Sequence, residues 1–280
     1  MKRELEAEKY KELSEFLKSR RAKIKPEQVG LPQSGRRRTP GLRREEVALL
    51  SGISLTWYTW LEQGRPIQVS DQVIESLSRT LLLNDEEQIY LHALTNQITR
   101  FENNFHDTAR PTLQHILDSM KDCPSLITDQ FFNVLAWNNA AVILLGDFES
   151  MSKRERNIVW AMFTDERFKS LYDSWDKQAL GLIGRFRLIR GQNIDNEWLS
   201  EFIKDLKGES QEFKNWWSLH DVMNNDDVYK ILNHPKLGRL EFEVCNFNMA
   251  DDSGLKMIVH TPKAGTDTGS KIKEALKSDF

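Results

Sequence analysis

The side chains able to do chemistry are spread thinly along this chain and crowd together in one stretch. That stretch is "GRRRTPGLRREEVALLSGISLTWYTWLEQGR", residues 35–65. It places Arg36, Arg37, Arg38, Arg43, Arg44 and Arg65 around Ser54, Leu55, Thr56, Trp57, Thr59 and Trp60. Guanidinium groups pair with phosphates, while hydroxyls and methyls meet base edges, so the combination suits a nucleic-acid surface. Residues 18–44 hold ten Lys or Arg and one acid, Glu27. By charge alone a solvated basic face would look the same, because the whole chain is near balance with 39 basic and 42 acidic residues. Elsewhere the signals of catalysis are missing. His220 and Asp221 are sequence neighbours, which does not make an oriented acid–base pair, and His106, His115, His234 and His260 are scattered. No nucleophile elbow, phosphate loop or metal-ligand spacing occurs. Cys123 and Cys245 lie far apart and read as small apolar residues in a reducing compartment. The expectation is a protein that is not an enzyme and needs no cofactor.

The elements that must carry the basic stretch can be read from apolar spacing and caps. Leu13, Phe16 and Leu17 fall at i, i+3 and i+4, which predicts an amphipathic helix over 10–24. "KPEQVGLPQSG" interrupts it. A second helix is expected from the cap Thr39 with Pro40 at its first position. Ser51-Gly52 ends that helix, Ser54 caps a third that Gly64 stops, Ser70-Asp71 opens a fourth and Asn84-Asp85 a fifth. Gly52-Ile53-Ser54 is then the turn of a helix-turn-helix. Val47, Ile53, Tyr58 and Leu61 form the seam, leaving Leu55, Thr56, Thr59 and Trp60 outside, where a recognition helix presents its first residues to the major groove. Arg43, Arg44 and Arg65 are expected on phosphates. Trp57 would rest its ring on the scaffold and aim its indole N–H at a phosphate.

On those residues the stretch 10–94 resembles the lambda-repressor-like, XRE-type helix-turn-helix domain, and residues 35–65 resemble its MmyB-like subfamily of bacterial regulators. The insertion between the first two helices, with "VGLP" and the triple arginine, is shared with that subfamily. Arg36–Arg38 could extend phosphate contact there or enter a minor groove. The resemblance also implies a structural pair between Glu62 and Arg20 or Arg21.

Beyond a polar linker at 96–111 the composition changes. "SLITDQFFNVLAWN" predicts two short strands about a turn at Thr128-Asp129-Gln130. Helical patterns follow at 139–146, 153–163, 166–190, 195–207 and 209–219. Leu240, Phe242 and Val244 alternate with Glu241 and Glu243 in a half-buried strand, and "LKMIVHTP" is another. Strands at both ends with helices between predict an α+β domain with an antiparallel sheet over 112–263. A polar tail follows at 264–280, whose last part could form a short helix. "PSLITDQFFNVLAWNNAAVILLGDF", "RNIVWAMFTDERF", "EFKNWWSLHDV" and "HPKLGRLEFEV" resemble blocks of the MmyB-like ligand-binding domain. That resemblance implies a PAS-like fold holding a small apolar ligand, with a fatty acid as the candidate. Aromatics such as Phe132, Trp137, Trp160, Phe163 and Trp217 could line its pocket as readily as fill a core. A carboxylate would call for Arg156 or His220.

The expected chain is therefore multidomain: an all-α lambda-repressor-like helix-turn-helix domain at 1–95, then the PAS-like domain. Its expected partners are double-stranded DNA, the small apolar ligand and a second copy of the chain in a homodimer. The charged N-terminus resembles no signal peptide, and no run of about 18 apolar residues suggests a membrane span, so a cytoplasmic location is expected. Two other readings stay open. In one the C-terminal domain serves only dimerisation or a protein partner. In the other it is a PAS-like enzyme with a regulatory module.

Overall fold

A computed structural model describes residues 2–32, 41–95, 110–193, 195–219, 228–249 and 254–278, with the backbone alone for residues 2–6. The chain forms two compact units. The first takes Met1–Arg100 together with Arg187–Asp205 and Lys214–Asn224. It contains α1 (Lys2–Lys23), α2 (Arg44–Leu50), α3 (Leu55–Glu62), α4 (Asp71–Thr80) and α5 (Asp85–Thr95). The i, i+3, i+4 stripe of Leu13, Phe16 and Leu17 packs with Val47, Tyr58, Leu61, Ile74, Leu77 and Leu91 in one buried core. Phe16 meets the Tyr90 ring edge-on, with centroids 5.2 Å apart.

Between α2 and α3, Gly52 has φ +67°. Glycine takes that left-handed conformation without a Cβ clash, so the two helices can be joined by the four residues 51–54. Ser51 Oγ donates to Thr80 Oγ1 at 2.9 Å, and Ser76 Oγ donates to the Ser51 carbonyl at 2.7 Å, fixing the turn to α4. Asn84 and Glu87 cap α5 reciprocally through side-chain bonds to each other's backbone N–H at 2.9 and 3.1 Å.

Two of the expected helix starts in this unit move. α1 begins near the start of the chain, not at residue 10. α2 begins at Arg44, not at Pro40; Thr39 and Pro40 lie outside the described residues. The reason is tertiary. Leu42 is fully buried and its N–H donates to the Arg21 carbonyl at 3.0 Å. Gly41 runs so close to the end of α1 that a Cβ would sit 2.3 Å from that carbonyl oxygen.

A buried polar cluster completes the first unit. Arg190, 1% exposed, pairs with Glu8 at 3.1 Å, and Tyr90 Oη donates to Glu12 at 3.3 Å. Burial raises the Glu12 carboxyl above its ordinary value, although Arg190 and Arg187 pull it down. Arg187 lies over the Trp217 ring, 4.4 Å from its centroid, and donates to the Trp217 carbonyl.

The second unit takes Phe101–Phe186, Leu206–Phe213 and Asn225–Phe280. In chain order the elements are α6 (Pro111–Ser119), β1 (Ser125–Thr128), β2 (Val134–Trp137), α7 (Asn139–Leu145), α8 (Ile158–Thr164), α9 (Glu166–Leu171) and α10 (Trp175–Gln192). There follow α11 (Glu197–Glu209), α12 (Gln211–Ser218), β3 (Tyr229–His234), β4 (Gly238–Asn248), β5 (Lys256–Pro262) and α13 (Thr268–Lys277). α10, α11 and α12 each contribute residues to both units. The five strands form one sheet in the order β2-β1-β5-β4-β3, with every neighbouring pair antiparallel. The α+β architecture expected for this half is thus present.

Period two assigns the faces of the sheet. Ile127, Ala136, Met257 and Val259 point to one face and pack with Leu117 of α6. Leu126, Val134, Val244, Ile258 and His260 point to the other, toward a cavity. Three details differ from the sequence pattern. The 166–190 helix is two helices, broken at Tyr172–Ser174, where Tyr172 bridges to Leu232. The 153–163 pattern becomes helical only at Ile158. The expected polar tail contains α13, which buries Thr268, Ile272 and Ala275, and Thr268 Oγ1 accepts from Glu241 N at 2.9 Å.

Candidate functional site

α3 stands out in the first unit because its charged residue faces inward. Ser54 Oγ accepts from Trp57 N at 3.1 Å and starts the helix. Tyr58, Leu61 and Glu62 are buried, and Glu62 is 0% exposed. The Glu62 carboxylate accepts from the Arg21 guanidinium, with Nη2–Oε2 at 3.1 Å, and from Arg44 Nε at 2.6 Å. Burial by itself would raise its pKa; the two arginines outweigh that and hold it below the ordinary carboxylate value. Of the two partners the sequence offered, Arg21 takes Glu62 and Arg20 pairs with Glu87.

What remains outside α3 is apolar or hydroxyl. Leu55 is 46% and Trp60 38% exposed, Thr56 is exposed and Thr59 half-buried. Trp57 is half-buried and packs its ring on the core. Arg65 stacks its guanidinium 5.3 Å from the Trp60 ring centroid, beside this face. Arg43 is exposed and pairs with Glu45 at 3.4 Å. Its N–H donates to Glu46 Oε2 at 2.7 Å, so a carboxylate of the protein already occupies the start of α2. Arg44 is exposed, its side chain 45% in solvent, and its Nε is bound to buried Glu62 at 2.6 Å, so it also has a structural partner. Arg36, Arg37 and Arg38 lie outside the described residues.

The second unit holds a cavity of about 490 Å³ between the sheet face and α8–α10. Phe132, Leu126, Val134, Ile158, Leu182 and Val244 supply apolar wall. The charged side chains on the lining are Arg156, Arg185, Lys230 and Lys256, against one acid, Glu155. Local bonding explains how the loop residues come to face it. Asp129 Oδ1 accepts from Phe131 N at 2.8 Å and Asn133 N at 2.9 Å, bending the chain so that Phe132 sits at φ +67°. Few non-glycine residues adopt that angle, and this carboxylate holds it in place. Asn157, fully buried, donates to the Phe131 carbonyl and Asn133 Oδ1, both at 2.8 Å. Its Oδ1 accepts from Val159 N and Trp160 N, capping α8 and setting Arg156 and Ile158 on the wall.

Burial tunes two further lining groups. It pushes the Tyr172 hydroxyl up to about 12, against the pull of Arg185, so Tyr172 remains a phenol and a donor. It pushes His260 down to about 3, helped by the charge of Lys230. His260 is therefore neutral near pH 7, with Nδ1 3.3 Å from the Pro124 carbonyl.

The structure separates the aromatics that the sequence grouped. Phe132 and Arg156 line the cavity. Trp137 does not; its ring packs on Phe148 at 5.1 Å and under Arg156 at 5.8 Å. Trp160 is covered by Arg154 at 4.9 Å, and Phe163 packs between Trp175 and Phe213. Trp217 lies in the first unit, under Arg187. His220 and Asp221 lie outside the described residues. The rest of the lining was not anticipated, Arg185, Lys230, Lys256, Tyr172 and His260 among it. Lys256, Ile258 and His260 alternate in "LKMIVHTP", and that pattern could have put them on one face.

Among the described residues, no helix is long and apolar enough to cross a membrane, and no group of three His, Cys, Asp or Glu is placed to hold a metal. No match was found among the curated proteins. Residues 12–89 match the helix-turn-helix domain family. Residues 109–276 match the family described as the MmyB-like transcription regulator ligand binding domain, a span that takes in all but the last residue of α13. A helix-turn-helix joined to that domain makes a DNA-binding transcription regulator, and the chain belongs to the MmyB-like family.

Proposed function

We propose that this regulator answers to an anionic amphiphile, a fatty acid being the candidate, held in the cavity of the second unit. The observation that supports the reading is the cavity's combination of apolar wall with four cationic side chains and one acid. An apolar tail is favoured by the wall, and a carboxylate gains charge-assisted hydrogen bonds in a partly desolvated site. DNA is read by α3 entering the major groove, with Leu55, Thr56, Thr59 and Trp60 toward the bases. Arg43, Arg44 and Arg65 contact phosphates, as does the Trp57 indole N–H, and the same role is proposed for Arg36–Arg38, which lie outside the described residues. Two copies bind as a homodimer on half-sites about one helical turn apart.

The test holds the tail constant and varies the head. Dodecanoate, dodecanol and dodecylamine are titrated into the full chain, with retention followed by native mass spectrometry and by thermal shift. Dodecanoate should be retained and raise the melting temperature, dodecanol less so, and dodecylamine not at all. Equal binding of all three would remove the role of the cations, and an empty cavity throughout would favour a domain that serves only dimerisation or a protein partner. Light scattering should return twice the chain mass.

A further inference from the structure

We infer that α3 reads its DNA half-site through the 5-methyl groups of thymine. The inference rests on the reading that α3 enters the major groove. The strongest base contacts in that groove are bidentate: arginine or lysine to guanine, asparagine or glutamine to adenine. α3 offers none of them, for "LTWYTWLE" contains no lysine, arginine, asparagine or glutamine. Its one ionisable side chain besides the buried Tyr58 is Glu62, which is 0% exposed and held by Arg21 and Arg44. Its outward groups are the isobutyl of Leu55, the methyls and hydroxyls of Thr56 and Thr59, and the indole of Trp60. Two of these, Leu55 and Trp60, expose large apolar surface.

Such a face has only two threonine hydroxyls to set against the polar edge of a base pair. A hydroxyl can donate to guanine or thymine acceptors or accept from cytosine or adenine amino groups, so its hydrogen bonds separate the pairs poorly. The thymine methyl is the one apolar feature that a base pair shows in the major groove, and it matches. The threonine hydroxyls can accept from the adenine amino group or donate to O4 of the same pair. Specificity therefore comes from the sum of several small apolar contacts. Arg43 and Arg65, flanking the helix, supply attraction that is indifferent to sequence.

The experiment uses the full chain and a random duplex pool. Selection should return half-sites with thymines clustered where α3 lies. Each thymine in the selected duplex is then replaced by deoxyuridine, which removes the methyl and leaves pairing and phosphates intact. Each contacted position should lose about fourfold in affinity, the worth of one buried methyl-sized group. A C·G pair at that position should bind more weakly, and 5-methylcytosine there should recover part of the loss. Leu55→Asn, at an exposed position, should abolish the response to deoxyuridine at one position and keep the responses at the other thymines. A guanine-centred motif, or indifference to deoxyuridine with tight sequence-selective binding, would overturn the methyl reading while leaving α3 in the groove. Failure to retain any duplex at low salt would overturn both and turn the apolar face of α3 toward a protein partner.

Discussion

At the residue scale, two buried titratable groups, Glu62 in the first unit and His260 in the second, should set how the protein responds to acid. The Glu62 carboxyl is held below its ordinary 4.5 by Arg21 and Arg44, so its contribution to stability is present above that pH and is lost as the pH falls below it. Glu62→Gln removes the charge and leaves two guanidinium groups facing a neutral amide, one of them largely buried. We expect about 3 kcal/mol less stability for the first unit at pH 7, read from the loss of helical circular dichroism on chemical denaturation of the full chain. A loss no larger than that of a surface pair would show that the clamp is solvent-screened. His260 acts over a higher window. Its neutral form is favoured in the fold, so the unfolded chain takes up protons first. Stability contributed by His260 is complete above about 6.5 and drains away as the pH falls toward about 3. His260→Phe should flatten that part of the pH–melting curve. An unchanged slope between pH 6.5 and 4.5 would locate the titrating group elsewhere.

At the scale of elements, α8 shows how much one cap can hold. Asn157 starts the helix, ties it to the Phe131 carbonyl and joins the Asn133 amide, so its loss strands several buried groups at once. Asn157→Ala should cost about 2–4 kcal/mol and weaken dodecanoate retention, because Phe132, Arg156 and Ile158 lose their support. Asn157→Asp should restore the α8 cap but not the two donated bonds, and should fall between. If the alanine variant melted like the parent, the cap would be incidental. Legibility in the sequence divides along the same line. Ser54, Gly52 and Asn84 were readable because a cap is chosen by residues within a turn of it. The start of α2 was not, because it is delayed by Gly41 and Leu42 lying against α1, a contact no local pattern shows. The strand pattern of Leu240, Phe242 and Val244 was visible. Which aromatics line the cavity was not, since Phe132 and Trp160 differ only in the face to which distant bonding turns them. The four cations of the cavity come from α10, β3, β5 and the loop before α8, and only the fold gathers them.

At the scale of the whole molecule, ligand and operator are linked by thermodynamics whatever path joins them. If dodecanoate changes operator affinity by some factor, operator must change dodecanoate affinity by the same factor, since both describe one coupling free energy. Factors of about 5–150 are usual for such coupling, well within reach of two titrations. A block at the cavity then separates a true effector from a detergent-like one. Ala161 lies on α8 at the lining and is almost fully buried, so Ala161→Phe places a ring into the open volume and removes no polar contact. It should lower dodecanoate retention at least tenfold, by occupying the space the tail requires. Operator affinity without dodecanoate should match the parent's, because α3 and its clamp are untouched. Operator affinity with dodecanoate should no longer shift. If dodecanoate still altered DNA binding in a variant that cannot retain it, the effect would arise outside the cavity, and the four cations would lose their assigned task. If the variant lost operator binding in the absence of any amphiphile, the cavity would be shaping the DNA-binding unit by its packing alone, and occupancy would be the wrong variable to follow.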